Sequence, residues 1–456
     1  MLFDSLPFFV FMAALYPLWR ALPLGIGRWL LLAASLVFYG WWSLGFLGLL
    51  LATTTLDWVL TRAMDDAPNR RRKALLTASI VSNLGTLAVF KYLGFFGGQV
   101  NAAAGWLGHG EVVPMFQLVL PVGISFYTFQ AIGYAVDVYR RELPPVRNYF
   151  DFLLFITFFP HMVAGPIQRS ALLLPQLKPM RRPTAEQLSS AAWLLVWGYF
   201  KKEVVADNLA PVVGAAFESA HPSGLSVVVA AYAFTWQIYC DFSGYSDIAR
   251  GLGKLFGVEL LENFQRPFFA ESPQELWRRW HVSLSQWLRD YLYVPLGGNR
   301  TNRDRNLLVT MLLGGLWHGA NWTYVLWGAW HGVALVLGRR LPRLPGPAWV
   351  RRLAMFHLTM LGFVLFRAKS LTQLAELGRT LAVGLTPAAG DLARLRLLAW
   401  LALPILVVEA LQERAGDTFV TLRAPRPVQI VLYVLATLAI AELGSTYATT
   451  FIYFQF

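Results

Sequence analysis

Two stretches of the chain hold histidines placed among apolar residues, where an imidazole can either take up a proton or serve only as a hydrogen-bonding group between packed helices. Residues 313 to 332 read LGGLWHGANWTYVLWGAWHG, with His318, Asn321 and Trp322 at i, i+3 and i+4, one face if the helix is continuous. Gly314, Gly315 and Gly319 take side chains away from around His318, which lets another group approach it closely. The second stretch, residues 272 to 290, carries His281. Ser272 with Glu275 three residues on is a capping box, and Pro273 sits at the first helical position, where its missing N–H does no harm. One helix there would place Trp277, His281, Leu284 and Leu288 on a single face, lying along a membrane or cavity surface. A histidine desolvated by apolar helices is neutral and can take a proton from an attacking hydroxyl. Such base catalysis contributes about 10²- to 10⁴-fold, and positioning of a thioester and a hydroxyl would have to supply the rest.

Other acyl-transfer chemistries are excluded by spacing. The serines of DFSGYSD do not form a G-x-S-x-G elbow. None of the seven histidines is followed five residues later by Asp, HExxH is absent, and His318 and His331 are too far apart in sequence for the i, i+4 zinc pair. We therefore expect no catalytic metal and no bound cofactor. Cys240, the single cysteine, permits no intrachain disulfide and reads as a small buried hydrophobe. His331 shares the W-H-G context of His318 and reads as a structural hydrogen-bonding residue, while His161 reads as lining a broken helix. Asp241, Ser243, Asp247 and Lys254 are polar groups in an apolar segment, where paired structural contacts compete with substrate binding. Asn321 either orients His318 or caps a helix break.

The elements that must position these residues are membrane helices. Of 456 residues 56% are apolar and only 14% charged, against about 25% charged in soluble proteins. Residues 29 to 56, 74 to 90 and 115 to 136 hold no charge at all, and about 20 apolar residues cross a bilayer. The net charge of +13 comes from connectors such as Arg70, Arg71, Arg72 and Lys73, then Arg140, Arg141 and Arg147, then Arg339 and Arg340. That pattern marks inner-side loops rather than nucleic-acid binding. Residues 29 to 61 must cross twice, through a hairpin near Gly40, Ser43 and Gly45. A helix over about 74 to 95 then leads to an outer loop at 97 to 114, and residues 115 to 138 return with a kink at Pro121. Residues 150 to 166 are too short and too rich in Pro and Gly for a full crossing and read as re-entrant. Further spans fall near 187 to 200, 224 to 240, 306 to 318, 322 to 338, 353 to 366, 393 to 411 and 427 to 446. The expectation is an all-α integral membrane protein of roughly 11 to 13 helices, partial ones counted, forming one polytopic domain over 1–456 with no separate soluble domain.

Four stretches carry a family resemblance: FFPHMVAGPIQR at 158 to 169, YCDFSGYSDIARGLGKLFG at 239 to 257, NFQRPFFAESPQELWRRWHVSLSQWLRDYLYVPLGGNR at 263 to 300, and GGLWHGANWTYVLWGAWHG at 314 to 332. With the closing FIYFQF, they resemble the membrane-bound O-acyltransferase superfamily (MBOAT), and within it the bacterial, alginate-acetylating branch. The similarity runs over essentially the whole chain. It implies a multi-helix fold around a central channel and transfer of an acyl group to a hydroxyl. It maps the family's nearly invariant histidine onto His318 and a second polar position onto His281. Asn321, Trp317, Asp241 and Ser243 are the candidate substrate-binding set. The resemblance further implies acetyl-CoA as donor substrate, a bacterial inner membrane with its lipids, a polysaccharide acceptor and a periplasmic partner of the SGNH type. Two alternatives stand beside it: an O-acyltransferase fed by a D-alanyl carrier protein, and a polysaccharide transporter without covalent chemistry. Broken helices and intramembrane charges suit a transporter too.

Overall fold

The computed structural model describes residues 1–114, 118–342, 344–444 and 451–452, and the described residues are helical or irregular, with no strand among them. Six helices are long and apolar enough to cross a membrane: Leu44–Ala63, Asn69–Trp106, Gly224–Leu255, Ala348–Arg367, Asp391–Ala415 and Arg426–Leu443. The expected 11 to 13 counted partial helices as well and is not confirmed by these six; among the described residues Leu6–Ala21 and Leu24–Gly40 are apolar but shorter. The six differ in what surrounds them. Gly224–Leu255 has 78% of its apolar stretch buried inside the protein, whereas Arg426–Leu443 has none and lies at the surface, with Leu432, Tyr433, Ala436 and Ile440 packed against the core.

The chain forms two compact units, Met1–Gln187 with Leu252–Leu261, and Leu188–Gly251 with Glu262–Phe456. In the first, the uncharged run from residue 29 breaks into Leu24–Gly40 and Leu44–Ala63. Ser43 caps the second helix by accepting from the Phe46 N–H at 3.3 Å. The expected outer loop at 97 to 114 is a loop only in its second half, because the preceding helix runs unbroken to Trp106. The run Asn101–Ala104 contains no Pro and three alanines, the strongest helix former, and Asn101 then holds the returning strand of loop through Val112 and Val113 at 3.0 and 2.9 Å. Pro121 does not kink a helix. It precedes the helix Ile124–Tyr139, which starts after Gly123 at φ 74°, and a Cβ on Gly123 would stand 2.8 Å from the Met162 carbonyl oxygen. Residues 115–117, part of the span expected over 115 to 138, lie outside the described residues. Residues 150 to 166 break as anticipated: Asn148 caps Tyr149–Thr157, a four-residue turn Phe159–Met162 follows, and every residue from 151 to 168 is buried.

In the second unit the helix Ala185–Tyr199 passes into a π-helical segment, Phe200–Ala206. The extra residue per turn turns both Lys201 and Lys202 inward. Lys201 reaches Asp247 at 2.6 Å and the Ser243 hydroxyl at 3.0 Å, and Lys202 bridges Asp207 and Asp241 at 2.8 and 2.9 Å. Buried cations are held in this way only when their partners are buried with them. Arg303–His318 and Trp322–Arg340 form the tightest helix pair of this unit. A Cβ on Gly315 would collide with the Tyr324 carbonyl oxygen, and one on Gly328 with that of Met311. Gly315 and Gly319 therefore make room for Tyr324 of the next helix, and Gly314 faces Leu288. The last expected span ends at Leu443, and residues 445–446 of it lie outside the described residues. An amphipathic helix that the hydropathy pattern missed, Leu371–Val383, begins at Ser370, which accepts from the Gln373 N–H at 3.1 Å.

Candidate active site

His318 is the last residue of its helix, and Gly319 leaves it in extended conformation. The helix is thus interrupted, and His318, Asn321 and Trp322 do not share a face. Asn321 caps the next helix, accepting from the Thr323 N–H at 3.1 Å and donating to the Lys369 carbonyl at 2.8 Å. It holds the break instead of orienting the histidine. His318 is 4% exposed and is boxed by three rings: Trp317 at 4.9 Å, Trp327 at 4.9 Å and Phe366 at 5.3 Å, all edge-on. Aromatic rings supply rigid walls at low entropy cost and exclude water from the imidazole.

The second histidine arrives from an element that differs from the single amphipathic helix expected. Ser272 caps Pro273–Arg279 with a 3.2 Å bond to the Glu275 N–H, but that helix stops at Trp280 and a new one, Val282–Leu288, starts after His281. His281 itself adopts φ 43°, ψ 53°, a left-handed conformation that costs a non-glycine residue roughly 1–2 kcal/mol. Asn263 holds it there. The Asn263 backbone oxygen accepts from the Val282 N–H at 2.9 Å, and its side-chain oxygen accepts from the Ser283 N–H at 3.1 Å and the Ser283 hydroxyl at 2.9 Å. The His281 ring packs against Phe242 at 4.7 Å and Trp317 at 6.2 Å. Trp317 therefore contacts both imidazoles, and the break at His281, not a helical stripe, brings the second histidine to it. His281 lies outside the six membrane-length helices, and burial drives its imidazole down to about 3, so it is neutral.

Of the remaining candidates, Asp241 and Ser243 sit in structural contacts. Asp241 pairs with Lys202 and accepts from the Ile452 N–H at 2.8 Å, while Ser243 accepts from Lys201. Asp247 joins Lys201 and Arg250, and Lys254 pairs with Glu259. Cys240 is fully buried. His331 stands closer to the site than its spacing suggested: Trp327 touches both His318 and, at 4.8 Å, His331. The Nε2 of His331 has no hydrogen-bond partner among the described residues, and a Cβ on Gly362 would lie 2.8 Å from it. The ring packs edge-on against Trp277 and Trp327. His161, in the other unit, donates from Nε2 to Gln130 at 2.9 Å. Among the described residues no three His, Cys, Asp or Glu side chains converge as a metal site would require.

Sequence reading missed Asn263, Trp327 and Phe366. Asn263 opens the third matching stretch and stands next to Phe264, a pattern that carries no chemistry until the fold sets it beside His281. Trp327 lies nine residues beyond His318, across a helix break that a periodicity argument does not see.

The arrangement has relatives. A protein of Azotobacter vinelandii described as a probable alginate O-acetylase, AlgI, is 43% identical over 380 residues, covering 81% of this chain and 76% of its own. The peptidoglycan O-acetyltransferase of Helicobacter pylori is 36% identical over 388 residues, 76% of this chain and 72% of its own. The teichoic acid D-alanyltransferase of Streptococcus thermophilus is 28% identical over 281 residues, 54% of this chain and 68% of its own. The family model of the membrane-bound O-acyltransferases matches residues 140–375, a range that contains both histidines of the site. These findings set the transporter alternative aside, and the chain belongs to the membrane-bound O-acyltransferase family, as an O-acyltransferase.

Proposed function

We propose that this O-acyltransferase takes an acetyl group from cytoplasmic acetyl-CoA and passes it across the bacterial inner membrane for O-acetylation of an exported, alginate-like polysaccharide, directly or through a periplasmic partner of the SGNH type. The observation that carries the reading is that His318 and His281 both contact Trp317, in a box of aromatic rings. In this mechanism the acceptor hydroxyl oxygen attacks the thioester carbonyl carbon while its proton passes to His318. The C–S bond then breaks, the thiolate leaves, and the proton returns to sulfur, giving free CoA and an ester. Water exclusion by Trp317, Trp327 and Phe366 keeps the base neutral and suppresses hydrolysis of the thioester. Asn321 and Trp317 line the site through its helix break and its shared ring, and Asp241 and Ser243 support it through the buried lysines.

Donation by a D-alanyl carrier protein is the second reading, motivated by the teichoic acid relatives, but these match about half of the chain at 28% identity, where the alginate relative matches 81% at 43%. The test is incubation of the purified protein with acetyl-CoA labelled on its acetyl group, with and without the periplasmic partner, following free CoA and labelled product. CoA release that depends on an acceptor is expected. Its absence, with transfer from a charged carrier protein instead, would replace acetyl-CoA as the donor. Orientation is tested separately: a reporter phosphatase fused at Ala67, between Leu44–Ala63 and Asn69–Trp106, should be inactive, because Arg70 to Lys73 hold that loop inside.

A further inference from the structure

The hydrogen bonds around Asn263 decide which nitrogen of His281 carries its proton. An asparagine oxygen and nitrogen are ordinarily distinguished only by their partners. Here one partner is the Ser283 backbone N–H, at 3.1 Å, which can only donate. The Asn263 atom facing it is therefore the oxygen, and the 2.9 Å contact from the Ser283 hydroxyl agrees. The same oxygen stands 3.3 Å from His281 Nδ1. Since an amide oxygen can only accept, Nδ1 is the donor. A neutral imidazole with its proton on Nδ1 has a lone pair on Nε2.

We propose that Asn263 is a positioning residue that locks His281 in the Nδ1–H form, so that Nε2 accepts a hydrogen bond from a hydrogen-bearing group of the bound substrates and does not stabilise the thioester carbonyl or its oxyanion. An oxyanion needs donors aimed at it, and a lone pair at that place would repel the developing charge. The strained backbone of His281 belongs to the same device: Asn263 holds both the ring and the peptide that follows it, so conformation and tautomer are fixed by one side chain. The inference rests on the acyl-transfer reading above and assigns to His281 the nucleophile's side of the reaction.

The ionisable groups on the elements packed against His281 are His318, beyond Trp317, and on Gly224–Leu255 Asp241, Asp247, Arg250 and Lys254, with Glu262 beside Asn263. Asp241 is paired with Lys202, Asp247 with Lys201 and Arg250, Glu262 with Arg250, and Lys254 with Glu259.

The experiment uses the full-length protein in proteoliposomes with labelled acetyl-CoA and alginate oligosaccharide as probes. Asn263→Leu should lower kcat by about 10- to 100-fold, the cost of removing a residue that orients an imidazole, and leave the KM for acetyl-CoA within about twofold of the parent. Asn263→Asp keeps an oxygen that accepts all three bonds and should recover most of the rate at pH 8. Because a carboxylate favours imidazolium, which fills Nε2 with a proton, its rate should fall between pH 8 and 6 where the parent's does not. An oxyanion-donating His281 predicts the reverse, a rate that rises toward acid in Asn263→Asp. That outcome, or a parental kcat in folded Asn263→Leu, overturns the inference. Parental transfer by His318→Ala would instead remove the reading on which it rests, so the two failures are separable.

Discussion

Each of the two compact units contains a buried histidine held by a side-chain amide, and the amides hold opposite nitrogens. In the first unit Gln130 donates to the Phe155 carbonyl at 2.8 Å, which makes its other atom the oxygen and makes His161 Nε2 the donor at 2.9 Å. That bond ties the broken stretch 149–162 to the neighbouring helix Ile124–Tyr139 and ends there, with His161 Nδ1 unpartnered among the described residues. In the second unit Asn263 takes Nδ1 of His281, and the ring contacts Trp317, which also contacts His318. Burial is nearly the same at the two sites, 2% and 1% exposure. A buried histidine is thus not a site by virtue of burial. What separates the two is a second imidazole that shares Trp317 with His281, and a backbone strain present at His281 and absent at His161.

The comparison breaks most sharply at His318. His318→Ala should abolish acetyl transfer, by at least about 10³-fold if base and positioning are both lost, in a protein that extracts and melts like the parent; transfer at the parental rate by the folded variant defeats the mechanism. His281→Ala is expected to cost less, about 10- to 100-fold, and to leak. His331→Ala sharpens the gradient, because it touches His318 only through Trp327. It should lower the rate by less than His281→Ala does, and a complete loss in His331→Ala alone would mean that the wrong histidine carries the proton. In the first unit Gln130→Leu should leave turnover per folded molecule unchanged and cost about 1–3 kcal/mol, the desolvation penalty of the orphaned His161 donor, read as a lower melting temperature in detergent. The smallest effect belongs to Cys240→Ser, which should keep most of the activity since no thiolate takes part. A labelled thioester at Cys240 would reverse that ordering.

These rankings show where the sequence was legible. Composition and the charge-free runs identified a membrane protein, because hydropathy is carried by neighbours in the chain, whereas the W-H-G triplet occurs at both His318 and His331 and does not choose between them. The breaks were the obstacle. Ser272, Pro273 and Glu275 announce where a helix begins, but nothing local announces that it stops at Trp280, since the left-handed turn at His281 is stabilised by Asn263 from 18 residues away. Likewise Gly314, Gly315 and Gly319 read as space beside a catalytic group, when Gly315 and Gly319 instead receive Tyr324. A glycine shows that something comes close, and only the fold says what. The inward turn of Lys201 and Lys202 was hidden for a similar reason, since a π segment shifts the face on which a periodicity places its residues.

The paired glycines of Arg303–His318 and Trp322–Arg340 carry a mechanical consequence. With Gly315 against the Tyr324 carbonyl and Gly328 against that of Met311, these two helices can neither slide nor separate without one backbone climbing over the other. His318 is bolted to the stiff end of that fork. His281 sits at a joint between two seven-residue helices, Pro273–Arg279 and Val282–Leu288, whose hydrogen-bond ladders do not run through it. Under the proposed mechanism the proton acceptor keeps its place on a rigid helix pair, whereas His281 keeps its place through Asn263, so loss of Asn263 frees one imidazole and not the other.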